Sequence, residues 1–103
     1  MDVHVALKRL LDASRGKAFQ DIGSNLKPIT SVHIDTRLDI GGYRRVFVSI
    51  FAADHANKLI VSGEPSVGAA FTKAMQRIAK LPIDPAVALA ATLGLTPDGK
   101  IAA

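Results

Sequence analysis

Two periodicities divide the chain into elements. From Thr30 to Ala53 the repeat is two: Val32, Ile34, Thr36, Leu38 and Ile40 alternate with Ser31, His33, Asp35, Arg37 and Asp39, as in a strand with one buried face. Gly41-Gly42 follows and suits a two-residue type I′ or II′ turn, because glycine takes up positive φ without steric cost. With those two residues as the loop, Ile40 lies opposite Tyr43, Leu38 opposite Arg45, Thr36 opposite Phe47, Ile34 opposite Ser49 and Val32 opposite Phe51. This register makes Ile34, Leu38, Phe47 and Phe51 the core face. The other face then carries His33, Asp35 and Arg37 with Val46, Val48 and Ile50, half polar and half aliphatic, a mixture suited to docking a protein. A slip of one residue exchanges the faces.

Elsewhere the repeat is helical. Asp2 caps a first helix whose apolar stripe is Val3, Ala6, Leu7, Leu10 and Leu11, and Gly16 suits a left-handed stop. Between Lys17 and Pro28 the pattern is poor; Phe19 and Ile22 suggest one short helical turn before a Gly23-Ser24-Asn25 loop. Lys58 to Ser62 reads as a third strand. Pro65 then opens the strongest helix, at its first helical position, with Val67, Ala70, Phe71, Ala74, Met75 and Ile78 on one stripe as far as Lys80. Its Phe71, Met75 and Ile78 are expected to pack on Leu38, Phe47 and Phe51. Asp84-Pro85 starts a last helix that is apolar all round, which a small domain has little material to bury. Val87, Leu89 and Leu93 on it are therefore expected contacts of a homodimer. The expected fold is α+β: a three-stranded antiparallel β-meander with helices packed on one face, in the order α-β-β-β-α-α. Residues 1–95 form a single domain and 96–103 a loose C-terminal tail.

Composition narrows the function classes. A chain of 103 residues that is 49% apolar and 21% charged has the make-up of one globular domain. Four phenylalanines, one tyrosine and no tryptophan count against a stacking platform for bases or sugars. The absence of cysteine removes disulfides, thiolate metal sites and cysteine nucleophiles, and it fits a cytoplasmic protein. Asp2, His4, Lys8 and Arg9 interrupt the apolar run that a signal peptide needs. No stretch of about 18 apolar residues offers a membrane span. A net charge of +4 permits an acidic partner without requiring one.

Candidate chemistry is sparse. Gly63 and Gly68 have the spacing of a phosphate-binding loop, but Ala69-Ala70 stands where lysine and a hydroxyl residue are needed. His33 and Asp35 point the same way on one strand, and with His4 or His55 they could hold zinc, yet nothing fixes a third ligand. A Ser49, His33 and Asp35 arrangement fails because the register above sets Ser49 on the opposite face. No enzyme activity, cofactor or metal is expected.

Arg37, Arg44 and Arg45 cluster near the glycine turn, and Lys73, Arg77 and Lys80 line one helix face; such residues neutralise phosphates. The order helix–strand–strand–strand–helix over residues 2–80 is similar to that of the double-stranded RNA-binding domain. That family starts its last helix with a lysine-rich segment, where this chain has Ser66-Val67-Gly68-Ala69-Ala70, and the family is not assigned. The expectation is a small, non-catalytic accessory or regulatory protein of bacterial or phage type, docking on another macromolecule as a homodimer. The alternative is a nucleic-acid-binding module using Arg37, Arg44 and Arg45.

Overall fold

The computed structural model describes residues 1–86 and Leu89. Six elements are present: α1 (Val3–Ser14), β1 (Ala18–Gln20), β2 (Leu26–Leu38), β3 (Arg44–Ala52), β4 (Lys58–Glu64) and α2 (Val67–Ile78). The strands form one antiparallel sheet in the order β1-β2-β3-β4. The fold is α+β, with four strands rather than three and the order α-β-β-β-β-α over these elements. Pro85, Ala86 and Leu89 are helical, and Leu89 is exposed. Val87, Leu93 and the 96–103 tail lie outside the described residues. Among the described residues no helix is long and apolar enough to cross a membrane.

The helices begin where side chains satisfy their free N–H groups. Asp2 accepts from the backbone N–H of His4 at 2.6 Å and of Val5 at 3.4 Å. Ser66 accepts from the N–H of Ala69 at 3.1 Å and is the cap of α2. Pro65 therefore stands outside the helix rather than at its first position, and α2 ends at Ile78 rather than Lys80. The stretch expected to hold a helical turn is instead β1, which buries Ala18 and Phe19 and pairs with Leu26–Pro28. Asp21 closes the intervening turn by accepting from Asn25 N–H at 2.9 Å.

The β2–β3 hairpin turns on three residues, not two. Gly42 N–H donates to Asp39 C=O at 2.9 Å and Asp39 N–H to Tyr43 C=O at 3.0 Å, leaving Ile40, Gly41 and Gly42 as the loop. Only Gly42, at φ +80°, is left-handed; one such residue after a type I turn makes the three-residue loop. Asp39 secures it by accepting from Tyr43 N–H at 2.9 Å. The longer loop moves the pairing by one residue, so that Thr36 faces Val46, Ile34 faces Val48, Val32 faces Ile50 and Ser31 faces Phe51. Every β3 side chain thereby lies on the face opposite to the one expected.

That inversion suits the packing. Val46, Val48 and Ile50 are completely buried, with Ala52 and Val61 beside them, under Ala6 and Leu10 of α1 and Ala70, Ala74 and Ile78 of α2. Two of those α2 residues, Ala70 and Ala74, are alanines, and close packing beneath them suits branched aliphatics better than phenylalanine. The expected core pairing is thus corrected: Leu38 is 74% exposed, and Phe47 and Phe51 are on the other face. Gly63, at φ +72°, forms a bulge in β4 where the pairing slips between Val46 and Val48. Gly68 is not needed for close packing, since a Cβ there would meet nothing within 4 Å.

Candidate functional site

Helices cover the Val46–Val48–Ile50 face of the sheet; on the other, no described helix lies. β2 contributes His33, Asp35 and Arg37 to this open face, and β3 contributes Arg45, Phe47, Ser49 and Phe51. From β4 come Lys58 opposite Phe51 and Ile60 opposite Ser49. Of the six residues expected to form an interaction surface, His33, Asp35 and Arg37 are therefore exposed together. Val46, Val48 and Ile50 are in the core and do not belong to a surface.

Two aromatic centres organise the open face. Phe47 and Phe51 are four residues apart on one strand, about 13 Å at strand rise, and both are half-buried. The guanidinium of Arg37 lies over the Phe47 ring at 4.7 Å, within cation–π range. His33 meets Phe51 edge-on at 5.6 Å and 72°, and His55 approaches the same ring at 5.3 Å. His55 reaches it from the β3–β4 turn with φ +57°. That turn is held by Asp54, which accepts from the N–H of Ala56 and of Asn57.

Charges on this face are largely answered. Arg37 Nε donates to Asp35 Oδ2 at 2.7 Å, and Arg45 Nε to Asp39 Oδ2 at 3.3 Å. The Tyr43 N–H bond first, and Arg45 second among the favourable contacts, hold the Asp39 carboxyl below its ordinary value. The N–H and side-chain bonds from Asn57 do the same for Asp54. Arg37 and Arg45 are directly opposed across the ladder, whereas Arg44 faces Leu38 on the other side of the hairpin. The three arginines of the nucleic-acid alternative are thus not brought onto one surface. Lys73, on the α2 exterior, is paired with Glu64 at 2.6 Å, and Arg77 Nη1 donates to the Ile60 carbonyl at 2.8 Å.

The corrected register places Ser49 directly opposite His33, on the same face rather than the opposite one. Their bonding partners differ from those of a catalytic relay, because Asp35 is engaged by Arg37 and His33 turns its edge to Phe51. Among the described residues no group of three His, Cys, Asp or Glu side chains could hold a metal ion. A recess of about 510 Å³ opens on the helical side of the hairpin root, between Met1, Val3, Leu38, Arg44 and Val67. Its lining includes the two arginines Arg37 and Arg44 and no acidic side chain.

Phe47, Ser49 and Phe51 were missed as surface residues because β3 is apolar at both odd and even positions. The signal that identifies them is Asp39 followed by Ile-Gly-Gly, since aspartate favours the first position of a type I turn and glycine the left-handed position that ends it. No protein-family model, curated protein or solved structure matches the chain.

Proposed function

We propose that this is a non-catalytic binding protein that docks a partner protein on the open face of its sheet. The observation that carries the reading is the aromatic pair Phe47 and Phe51, held on an uncovered strand face within a ring of Arg37, His33 and His55. Aromatic and arginine side chains are the usual anchors of protein interfaces, and near-balanced charge around them favours a protein over a polyanion. Arg37, Arg45 and Lys58 stand against Asp35 and Asp39 on this face, which suits a partner with an apolar centre and a slightly acidic rim. A cytoplasmic setting and an accessory or regulatory role in bacteria or phage belong to the same proposal, on the ground of a cysteine-free, motif-poor chain.

The test is capture from source cells by the purified protein, repeated with Phe47→Ala plus Phe51→Ala and, separately, with Gln76→Ala on the far side of α2. One defined protein retained by wild type and Gln76→Ala, and lost from the double variant, is the expected outcome. Equal capture by all three would sink the reading.

A second reading has one specific observation in its favour. Aromatics on an open antiparallel sheet flanked by arginines can stack unpaired bases. Fluorescence anisotropy with single-stranded oligonucleotides at low salt separates the two: salt-sensitive binding lost on Phe47→Ala and Arg45→Ala would replace the protein partner with a nucleic acid.

A further inference from the structure

The sheet has two long edges, and they are treated differently. On β4 the guanidinium of Arg77 takes the Ile60 carbonyl at 2.8 Å, and the Gly63 bulge breaks the strand's regularity. Both are ways of blocking an edge against further pairing. On the opposite side β1 covers β2 only from Leu26 to Pro28, extended by one bond from Ile29 N–H to Lys17 C=O. From Ser31 to Leu38, β2 has β3 on one side and no strand on the other among the described residues.

Which groups are left over follows from the ladder. Asp39 N–H bonds to the Tyr43 carbonyl, just before β3, and antiparallel alternation then turns the N–H and C=O of Arg37, Asp35, His33 and Ser31 the same way, towards β3. Those of Val32, Ile34, Thr36 and Leu38 point outward along the free edge. This stretch contains no proline, no lysine and no bulge, which commonly close an edge, and its two charged residues, Asp35 and Arg37, are of opposite sign.

We infer that this free edge of β2 pairs antiparallel with the same edge of a second copy of the chain, about a two-fold axis at Thr36. The two sheets then become one, with four strands from each copy. Self-complementarity selects a copy of the chain over another strand. With Thr36 opposite Thr36, Asp35 of each protomer lies opposite Arg37 of its partner, and Ile34 opposite Leu38. The Asp35–Arg37 pair, already 2.7 Å apart within one strand, becomes a four-charge square of alternating sign. Leu38, 74% exposed in the single chain, gains an aliphatic neighbour. A register shifted by two residues towards the N-terminus would instead set Asp35 against Asp35, which like-charge repulsion disfavours. Edge pairing leaves the open face uncovered, so the dimer and the partner surface are separate properties. The contact also differs from the one expected at Val87, Leu89 and Leu93.

Sedimentation equilibrium on the full chain tests this. Wild type is expected at twice the 10.9 kDa chain mass at micromolar concentration. Thr36→Pro removes an outward N–H that the fold does not use, so it should leave the circular dichroism spectrum intact and weaken the dimer by about tenfold or more. Asp35→Arg alone, or Arg37→Asp alone, sets like charges face to face and should weaken it similarly; the two together restore the alternation and should restore the dimer. Recovery in the double variant requires a correctly folded chain, so it separates pairing from misfolding. A wild-type monomer at all concentrations overturns the inference. So does a dimer indifferent to Thr36→Pro and to both charge reversals, or one that instead dissociates on Leu89→Glu, which would place the contact on the C-terminal segment.

Discussion

Replacing Ile50 and Phe47 separately by alanine discriminates between the two possible faces of β3. Ile50 is wholly buried between its cross-strand partners Val32 and Leu59. Truncation to alanine removes three carbon groups at about 0.8 kcal/mol each and leaves a cavity under close-packed helices, for a total of about 3–4 kcal/mol. Phe47 is half-buried; half of a side chain of about 200 Å² at about 25 cal/mol per Å² amounts to roughly 2.5 kcal/mol. The alanine retains part of that, while the contact with Arg37 adds about 0.5 kcal/mol. Phe47→Ala should therefore cost about 2 kcal/mol, less than Ile50→Ala despite the larger side chain. A domain of this length has a total stability of roughly 5–15 kcal/mol. In urea the Ile50→Ala midpoint should fall by roughly 2 M, about twice the shift of Phe47→Ala. The reverse order, with Phe47→Ala the more damaging, would falsify the three-residue loop and everything placed on the open face.

Four further outcomes are expected. Gly42→Ala forces a side chain into φ +80° and should lower stability by about 1–2 kcal/mol in urea, whereas Gly41→Ala needs no positive φ and meets the Tyr43 ring at 3.1 Å and Asp39 Oδ1 at 3.4 Å, so it should cost less. Ser66→Ala removes the cap of α2 and should cost about 1 kcal/mol in the same assay. Asp39 and Asp54 are both held below the ordinary value of 3.8, so their contribution to stability is complete above that value and is lost as pH falls through their folded-state pKa. An acid titration followed by circular dichroism should show this loss below pH 3.8 and a flatter curve for Asp39→Asn. Arg77→Ala unblocks the β4 edge and should raise the aggregation rate at equal stability, measured by light scattering.

Much of the fold was legible in the sequence because single residues announced it. Asp2 is an N-cap by type and spacing, and the alternation through β2 was clean enough to set its two faces correctly. β3 was harder, since Val46, Val48 and Ile50 alternate with Phe47, Ser49 and Phe51, and either set could serve as a core. Loop length alone decides between them, and reading Gly41-Gly42 as the whole loop overlooked what Asp39 does. β1 escaped because three residues carry no periodicity; long-range pairing with Leu26–Pro28 makes it a strand. At α2, Ser66 and Pro65 both favour a helix start, and the hydroxyl won because it satisfies an N–H that proline cannot. For the open face, the strand residues His33, Asp35 and Arg37 could be found, but their aromatic partners depended on the register.

β3 turns Phe47, Ser49 and Phe51 to the uncovered side of the sheet. The chain has no cysteine of its own, so single cysteines at positions 48 and 49 report on the two faces without background. Under native conditions Ser49→Cys should react with a maleimide reagent at a rate at least about a hundredfold above that of Val48→Cys, whose site opens only by partial unfolding. Equal rates, or faster labelling at position 48, would mean that β3 does not bury Val48 and expose Ser49.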